Sequence, residues 1–513
     1  MIMPVFNKFQ INYGSQTASK NSSVGKTEPN NRTSIFYIND FHGKSINMER
    51  TISASNAFDS FTPSTPTDKL KLSSGDIQLG EPVPANKVMV EAQNIMGIMA
   101  SAVGNHECDM QEHMAELIPQ MGYKMLACNV NIKPQNPLHD KIQKSYIQEI
   151  NGTKYGIIGA APVDLFSRIK YGKIFEELKV DNIKSTIQDI QTEVDNLKKQ
   201  GVNKIILLSH VGFGYDQEIA KNTDGVDIIL GGHSHNLVQD VKPGVNLFNS
   251  KSGEPVVITQ AGRDGNYFGV LNVEWSNQGV LTKVQNNVTS TRVFKRNPVV
   301  KHLFEFIVGK PKIVGVINSA PPPPQNASIE PNPHGNFLCD CMKEELGTDI
   351  AMFGSATLRG FFEAGKLDTR WLEDISPFKN KMVVANYTEK EIVDALKVSA
   401  KSLINTNNKP GIVHVSGLQY TIGKDGELKN ASFVDKSGNI TPIDIKNPRT
   451  DKIYKTALTD YYAQGHDGFT MLKKYDQAER ICDFDVTKCI EDYFAHHNEP
   501  INIKDDGRVK ITD

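Results

Sequence analysis

Between Ser34 and His235, a series of short apolar, β-branched runs each end on aspartate, asparagine or histidine with glycine close by. The runs are "SIFYIND" to Asp40, "DKLKLSSGD" to Asp76, "MASAVGNHE" near Asn105, "NKIILLSH" to His210 and "GVDIILGGHSH" to His233 and His235. Between them lie stretches with apolar residues at helical spacing. One is "KSTIQDIQTEVDNLKKQ", whose Lys-rich end is followed by Gly201. Strand, polar residue, loop and helix in repetition is the pattern of a layered α/β domain. In such sheets ligands collect at the loops that follow the strands.

A chain of 513 residues exceeds the size at which one core stops growing, so two domains are expected. The division falls after about Asn297. The helical pattern "PVVKHLFEFIVGK" leads there into "INSAPPPPQNAS", whose proline run must be extended and exposed. Beyond it "DIAMFG", "KNKMVVANYT", "EKEIVDALKVSAKSL" and "GLQYTIGKDGEL" read as strands and helices of a second α/β domain, the last with an Asp-Gly hairpin turn. The expected organisation is a polar, disordered tail over 1–33, a first domain over 34–297, a helix and proline-rich connection over 298–325, and a second domain over 326–513.

Composition and charge exclude several classes. A formal net charge of −2 gives no reason to expect nucleic-acid or membrane-surface binding. No apolar run is long enough to span a bilayer. The polar N-terminus lacks the features of a secretory signal, and the expectation is a cytoplasmic protein. "GKT" at Gly25 lacks the upstream glycine of a phosphate loop, and no G-x-G-x-x-G follows the first strand, which argues against a dinucleotide-binding dehydrogenase. Six cysteines in so long a chain read as free thiols rather than a disulfide scaffold.

Taken singly, a histidine after a strand is more often a surface or capping residue than a ligand. Here Asp40, His42, Asp76, Asn105, His106, His210, His233 and His235 all fall at strand ends of one domain. Carboxylate, imidazole and amide oxygen without thiolate suit divalent Mn, Zn, Fe or Co. The two histidines of "HSH" share strand parity and would point to one side of an extended segment.

The series D-x-H, GD, GNHE, H and GHSH resembles the calcineurin-like metallophosphoesterases. In the second half, "EPNPHGNFLCD", "GSATLRG", "ISPFKN", "VSGLQY" and "TDYYAQGHDGF" resemble the 5′-nucleotidase and UDP-sugar hydrolase family. The resemblance implies a four-layer α/β/β/α metallophosphoesterase domain followed by an α/β substrate domain. It implies two divalent metals, one held by Asp40, His42, Asp76 and His235, the other by Asp76, Asn105, His210 and His233, with Asp76 bridging. His106, paired with Asp109, would contact the phosphate and stabilise the transition state, leaving Glu107 a neighbour without a principal role. Phe378 and Tyr461 would sandwich a nucleobase, with Asp467 near the ribose or base and Arg359 near the phosphate. The implied substrates are nucleoside 5′-monophosphates or related nucleotides. The alternatives are a diesterase or pyrophosphatase acting on UDP-sugars or cyclic nucleotides, and a binding protein that keeps the fold without catalysis. Two departures bear on specificity: Gly354 stands where the family pattern has a base-contacting Asn, and no Arg precedes Glu330, the chain reading Ala327, Ser328, Ile329.

Overall fold

Period-two alternation sends neighbouring residues of each central strand into different cores. Along the strand Arg32–Ile38, Ile35 and Tyr37 enter one cluster with Leu70, Leu72, Ile206 and Leu230, while Phe36 and Ile38 enter another with Met48, Ile52 and Met89. The strand Ile205–Ser209 behaves likewise, with Ile206 and Leu208 facing the first sheet and Ile205 and Leu207 facing helices. Strands buried on both faces must be apolar throughout, which is why these runs read as continuous hydrophobic stretches.

The computed structural model describes residues 32–79, 83–109, 111–168, 178–324, 326–405 and 410–513. The chain divides into two compact units, Met1–Lys310 and Pro311–Asp513. In the first unit a six-stranded sheet runs, in spatial order, Leu281–Ser290, Tyr267–Trp275, Arg32–Ile38, Asp68–Ser73, Ala100–Ala102, Lys124–Leu126. A second runs Leu247–Asn249, Pro255–Thr259, Ile228–Leu230, Ile205–Ser209, Thr153–Ala160, Ser145–Ile150. The helices Ser45–Ser60, Val83–Met96 and Pro298–Val308 cover one sheet, and Ile183–Lys199 and Phe213–Asn222 the other, giving the α/β/β/α order. Asn182 caps the helix Ile183–Lys199 by accepting from the N–H groups of Lys184 and Ser185, a side-chain acceptor for otherwise orphaned donors. In the central parallel strands, the polar residues singled out above follow the C-terminal ends, on one edge of the sheet pair.

The second unit centres on a five-stranded sheet, Val413–Ser416, Ile350–Gly354, Ile453–Thr459, Lys381–Thr388, Arg480–Asp485 in spatial order. Its two faces feed two cores, Ile350 and Met352 on one side, Ala351 and Phe353 on the other. The Asp425-Gly426 hairpin joins Leu418–Gly423 to Leu428–Val434.

Two boundaries differ from those expected. The tail expected over 1–33 lies, to residue 31, outside the described residues, but Arg32 and Thr33 already belong to the first strand. Thr33 is buried against the Tyr155 hydroxyl at 2.8 Å, and Arg32 pairs with Glu274 at 3.0 Å. The connection expected over 298–325 is largely taken up by the units themselves. Val300 and Phe304 of the helix Pro298–Val308 are buried in the first unit's core, and Ile313–Ser319 pairs with Gly365–Asp368 and Ile501–Asn502 in the second. An i, i+4 apolar pair on a capped helix has burial to gain, and the composition signal of the prolines masked it.

Candidate metal centre and substrate residues

Of the sequence-predicted metal residues, Asp40, His42, Asp76, Asn105 and His210 are buried and His233 and His235 part-exposed, all in loops that follow strands, and the structure brings them together. Among the described residues, three groups have potential ligand atoms within 4.8 Å of one another: Asp40, His42 and His235; His42, Asp76 and His106; and Asp76, His210 and His233. Asp40 is fully buried, with Oδ1 3.4 Å from His235 Nε2 and 3.8 Å from both His42 Nε2 and His210 Nε2. Asp76 Oδ2 lies 3.1 Å from His210 Nε2 and 3.7 Å from His42 Nε2. Asn105 Oδ1 sits 3.0 Å from His233 Nδ1, so the amide joins the Asp76, His210 and His233 group.

This donor set fits divalent cations. Carboxylate, imidazole and amide oxygen converge without thiolate, and the fully buried His210 Nε2 makes no hydrogen bond of its own. The ring nitrogens facing away from the centre are anchored. His210 Nδ1 rests 2.6 Å from the Ser74 carbonyl, His42 Nδ1 lies 2.9 Å from Asp264 Oδ1, and His106 Nδ1 lies 2.6 Å from Asp109 Oδ2. Such partners fix tautomer and ring orientation in metal sites.

The electrostatics are those of a tight set of opposed charges. Burial disfavours ionisation of Asp40, but His210 and His235 outweigh it and hold the carboxyl below its usual range. Asp76 is held well below that range, burial again losing, here to His210 and His106. Against burial, Asp264 and Asp76 push His42 up to about 9, and Asp76 and Asp40 push His210 up to about 10. His235 goes the other way, burial driving it down to about 4 despite Asp40. Cation binding in such a cluster is coupled to proton release from the imidazoles.

The backbone here is unusual. Asp40, His42, Asp76, His233, His235 and Asp264 all have positive φ, between 50° and 71°. This left-handed region is uncommon for residues other than glycine and marks conformations held by their surroundings. It also corrects the reading of "HSH". His233 and His235 face one centre because each sits in a left-handed turn, and not because they alternate along an extended segment. Gly75 and Gly104 let the two loops meet. A Cβ on Gly75 would lie 2.8 Å from the Gly104 nitrogen, and one on Gly104 would lie 2.6 Å from the Asp76 nitrogen.

Glu107, expected to have no principal role, is a second correction. Its buried carboxylate accepts backbone N–H groups from Asp76 (2.8 Å), Ile77 (2.8 Å), Gln78 (3.2 Å) and Gly104 (2.9 Å), two on each oxygen. It therefore shapes the loop that presents Asp76. Burial and the neighbouring Asp76 raise its pKa. Glu107→Gln replaces one acceptor oxygen with an NH₂ that meets two N–H donors. Unmet buried donors cost about 1–3 kcal/mol each, so with two of them this variant should lose about 2–6 kcal/mol of stability, read as a lowered midpoint in circular-dichroism melts. An unchanged midpoint would make the contacts incidental. Two other carboxylates went unnoticed: Asp264, and Asp164, whose Oδ1 lies 3.1 Å from His233 Nε2. Both also follow apolar strands, Pro255–Thr259 and Thr153–Ala160, so the rule that found the ligands could have found them.

In the second unit the expected substrate residues form two pairs. The Arg359 guanidinium lies over the Phe378 ring, 5.5 Å from its centroid. The Tyr461 hydroxyl donates to Asp467 Oδ1 at 3.1 Å, and His466 stacks on the Tyr461 ring at 4.6 Å between centroids. Phe378 and Tyr461 are part-exposed. At Gly354 any side chain would collide with the buried Tyr462 hydroxyl, so the missing Asn has no room to return. The six cysteines are buried and unpaired.

Residues 33–237 match the calcineurin-like phosphoesterase family, and residues 313–474 match the 5′-nucleotidase C-terminal domain. The chain is similar to a 5′-nucleotidase of Bos taurus, 32% identical over 435 residues, covering 75% of this chain and 73% of that protein. It is also 24% identical to the trifunctional nucleotide phosphoesterase protein YfkN of Bacillus subtilis. That match covers 82% of this chain but spans only 31% of the larger protein. In fold it resembles the crystal structure of a 5′-nucleotidase precursor from Thermus thermophilus, with a TM-score of 0.68, 21% identity, and 94% of this chain and 99% of that one covered. Clustered strand-end carboxylates and imidazoles, a two-sheet first unit and these matches agree, and the chain belongs to the 5′-nucleotidase family of calcineurin-like, metal-dependent phosphoester hydrolases.

Proposed function

We propose that the chain removes phosphate from nucleoside 5′-monophosphates or closely related nucleotides at a centre holding two divalent metal ions. The observation that carries this reading is the linked set of metal-sized groups, Asp40, His42 and His235 joined through Asp76 to His210 and His233. One ion would be held by Asp40, His42, Asp76 and His235, the other by Asp76, Asn105, His210 and His233. Two cations bound there supply Lewis acidity toward the phosphoryl oxygens and an activated water.

The chain's own groups supply the rest. Asp109 holds the His106 ring through Nδ1 at 2.6 Å, leaving Nε2 to meet a phosphoryl oxygen and offset charge that grows in the transition state. Asp76 accepts the His106 backbone N–H at 2.8 Å, so the carboxylate between the two ligand groups also sets the position of this residue. Phe378 and Tyr461 offer ring faces to a nucleobase, Arg359 a guanidinium to a phosphate, and Asp467 an acceptor to ribose or base. The likeness to the Bos taurus 5′-nucleotidase and to the nucleotide phosphoesterase of Bacillus subtilis supports nucleotides as the substrate class.

Stacking tolerates any base, at about 1–3 kcal/mol per base in nucleic-acid binders. Discrimination needs hydrogen bonds to base edges, and Gly354 offers no side chain for them. For AMP, GMP, UMP and CMP, kcat/KM should therefore agree within about tenfold, a window of roughly 1.4 kcal/mol. Phe378→Ala should weaken all four similarly and affect p-nitrophenyl phosphate less. The measurement is a steady-state panel with metal-reconstituted protein that also includes UDP-glucose and 2′,3′-cyclic AMP. Faster turnover of either of those two would replace the monophosphate reading with a pyrophosphatase or diesterase. A preference above about a hundredfold for one base would place recognition on residues other than this stacking pair.

A further inference from the structure

Asp264 lies beyond the stretch of the chain that matches the phosphoesterase family, residues 33–237, yet it touches the centre directly. It is 3% exposed and sits in the left-handed region at φ 58°, in the turn that follows the strand Pro255–Thr259. Oδ1 meets His42 Nδ1 at 2.9 Å, across 222 residues of sequence, and Oδ2 lies 3.3 Å from Arg263 Nε. Its N–H donates to the Asp40 carbonyl at 2.6 Å, and its own carbonyl accepts from Asn47 Nδ2 at 2.8 Å. Backbone bonds thus place the residue, and the side chain can be judged by what it does to His42.

An imidazole has two nitrogens, and the partner of one decides the state of the other. A carboxylate on Nδ1 keeps the proton there and keeps the lone pair on Nε2. In His42, Nε2 is the nitrogen that faces inward, 3.8 Å from Asp40 Oδ1 and 3.7 Å from Asp76 Oδ2. The backbone alone would not secure this, since His42 has a rotatable side chain on a left-handed residue.

We propose that Asp264 is a positioning residue that holds His42 as the Nδ1–H tautomer and aims Nε2 at the divalent ion shared with Asp40, Asp76 and His235. This rests on the two-metal reading above. Asp264→Asn keeps size and both backbone bonds but removes the charge, and Asp264→Leu removes the acceptor altogether. The test is a titration of the metal-stripped full chain with Co²⁺ or Mn²⁺ by calorimetry, with thermal midpoints of the stripped proteins measured in parallel. Loss of such an outer partner typically weakens metal affinity about 10–100-fold. The expected result is a loss of that size at one of two sites in Asp264→Asn, at least as large in Asp264→Leu, with the other site unaltered and the stripped Asp264→Asn midpoint unchanged. Long-range ¹⁵N correlation spectra of the stripped proteins, recorded well alkaline of the His42 pKa of about 9 so that the ring is neutral, should show it passing from a single Nδ1–H tautomer to a mixture. Wild-type affinities at both sites in both variants overturn the assignment, as does metal loss accompanied by an equal fall in the stripped midpoint of Asp264→Asn. A wild-type chain that takes up no divalent ion overturns the two-metal reading itself and the role of Asp264 with it.

Discussion

Asp76→Asn is expected to abolish phosphate release and to lower the divalent metal content of the purified chain. The substitution preserves shape, so packing is not the issue. Asp76 sits with one oxygen between His210 Nε2 and His42 Nε2 and the other on the His106 N–H. Burial works against ionisation, but His210 and His106 outweigh it and hold the carboxyl well below the normal range, favouring the anion. The amide removes that charge from a site where burial magnifies it, and can turn N–H donors toward groups that need an acceptor. Removing a single electrostatic contact to a transition state costs about 10²–10³ in kcat. A residue between both ligand groups should exceed that figure, because binding of the ions fails as well as the chemistry. Elemental analysis beside a phosphate-release assay checks both parts. Two metals per chain with near-normal turnover would remove Asp76 from the bridging position.

His106→Ala should lower kcat by about 10²–10³-fold, the scale of one lost transition-state donor, while metal content stays at the wild-type level. The geometry makes this a sharp test. A His106 nitrogen lies within 4.8 Å of ligand atoms on His42 and Asp76, so proximity alone would allow it to be a ligand. Neither the Nδ1 tie to Asp109 at 2.6 Å nor the 28% exposure of the ring decides the matter, since His42 is tied to Asp264 in the same way and His235 is 29% exposed, so the metal content of the variant carries the decision. The contact His106 makes with Asp76 uses its backbone N–H, which alanine retains. A variant that loses metal would make His106 a ligand and undo the division of labour within "GNHE". Rates should be compared at saturating metal and substrate, so that the fall is read in kcat and not in KM.

The clustering residues were legible because each follows an apolar run that reads as a buried strand. A polar side chain at that position has to face the sheet edge where ligands gather. Asp40, Asp76, His210 and the pair His233 and His235 were found this way without any knowledge of how the strands are ordered. Asp264 follows an apolar strand as they do, but which residue each partner supports was not legible, because these contacts join distant parts of the chain. Glu107 caps amides some thirty residues before it, and Asp264 meets His42 from 222 residues away. No local pattern encodes such pairings. The left-handed turns were likewise hidden, since aspartate and histidine adopt them only under tertiary constraint. The boundaries moved for a simpler reason. A proline run announces an exposed segment, but says nothing about Val300 and Phe304 beside it, which are buried.

The positive-φ residues of the centre have a consequence for how such a site can change over generations. At each of these positions the possible substitutions differ in what they do to backbone and to chemistry. Replacement by glycine suits the left-handed conformation and discards the donor, while asparagine for aspartate suits it and exchanges a charged oxygen for a neutral one. Replacement by cysteine or glutamate keeps a donor of another kind but fits that conformation less well, and threonine or valine fits worst of all. Asp40, His42, Asp76, His233 and His235 are thus surrounded by easy routes to an inert fold and hard routes to a differently tuned metal. Such a lineage can lose its catalyst in one step without losing its shape. Exchanging one coordination chemistry for another requires the loops to be rebuilt first.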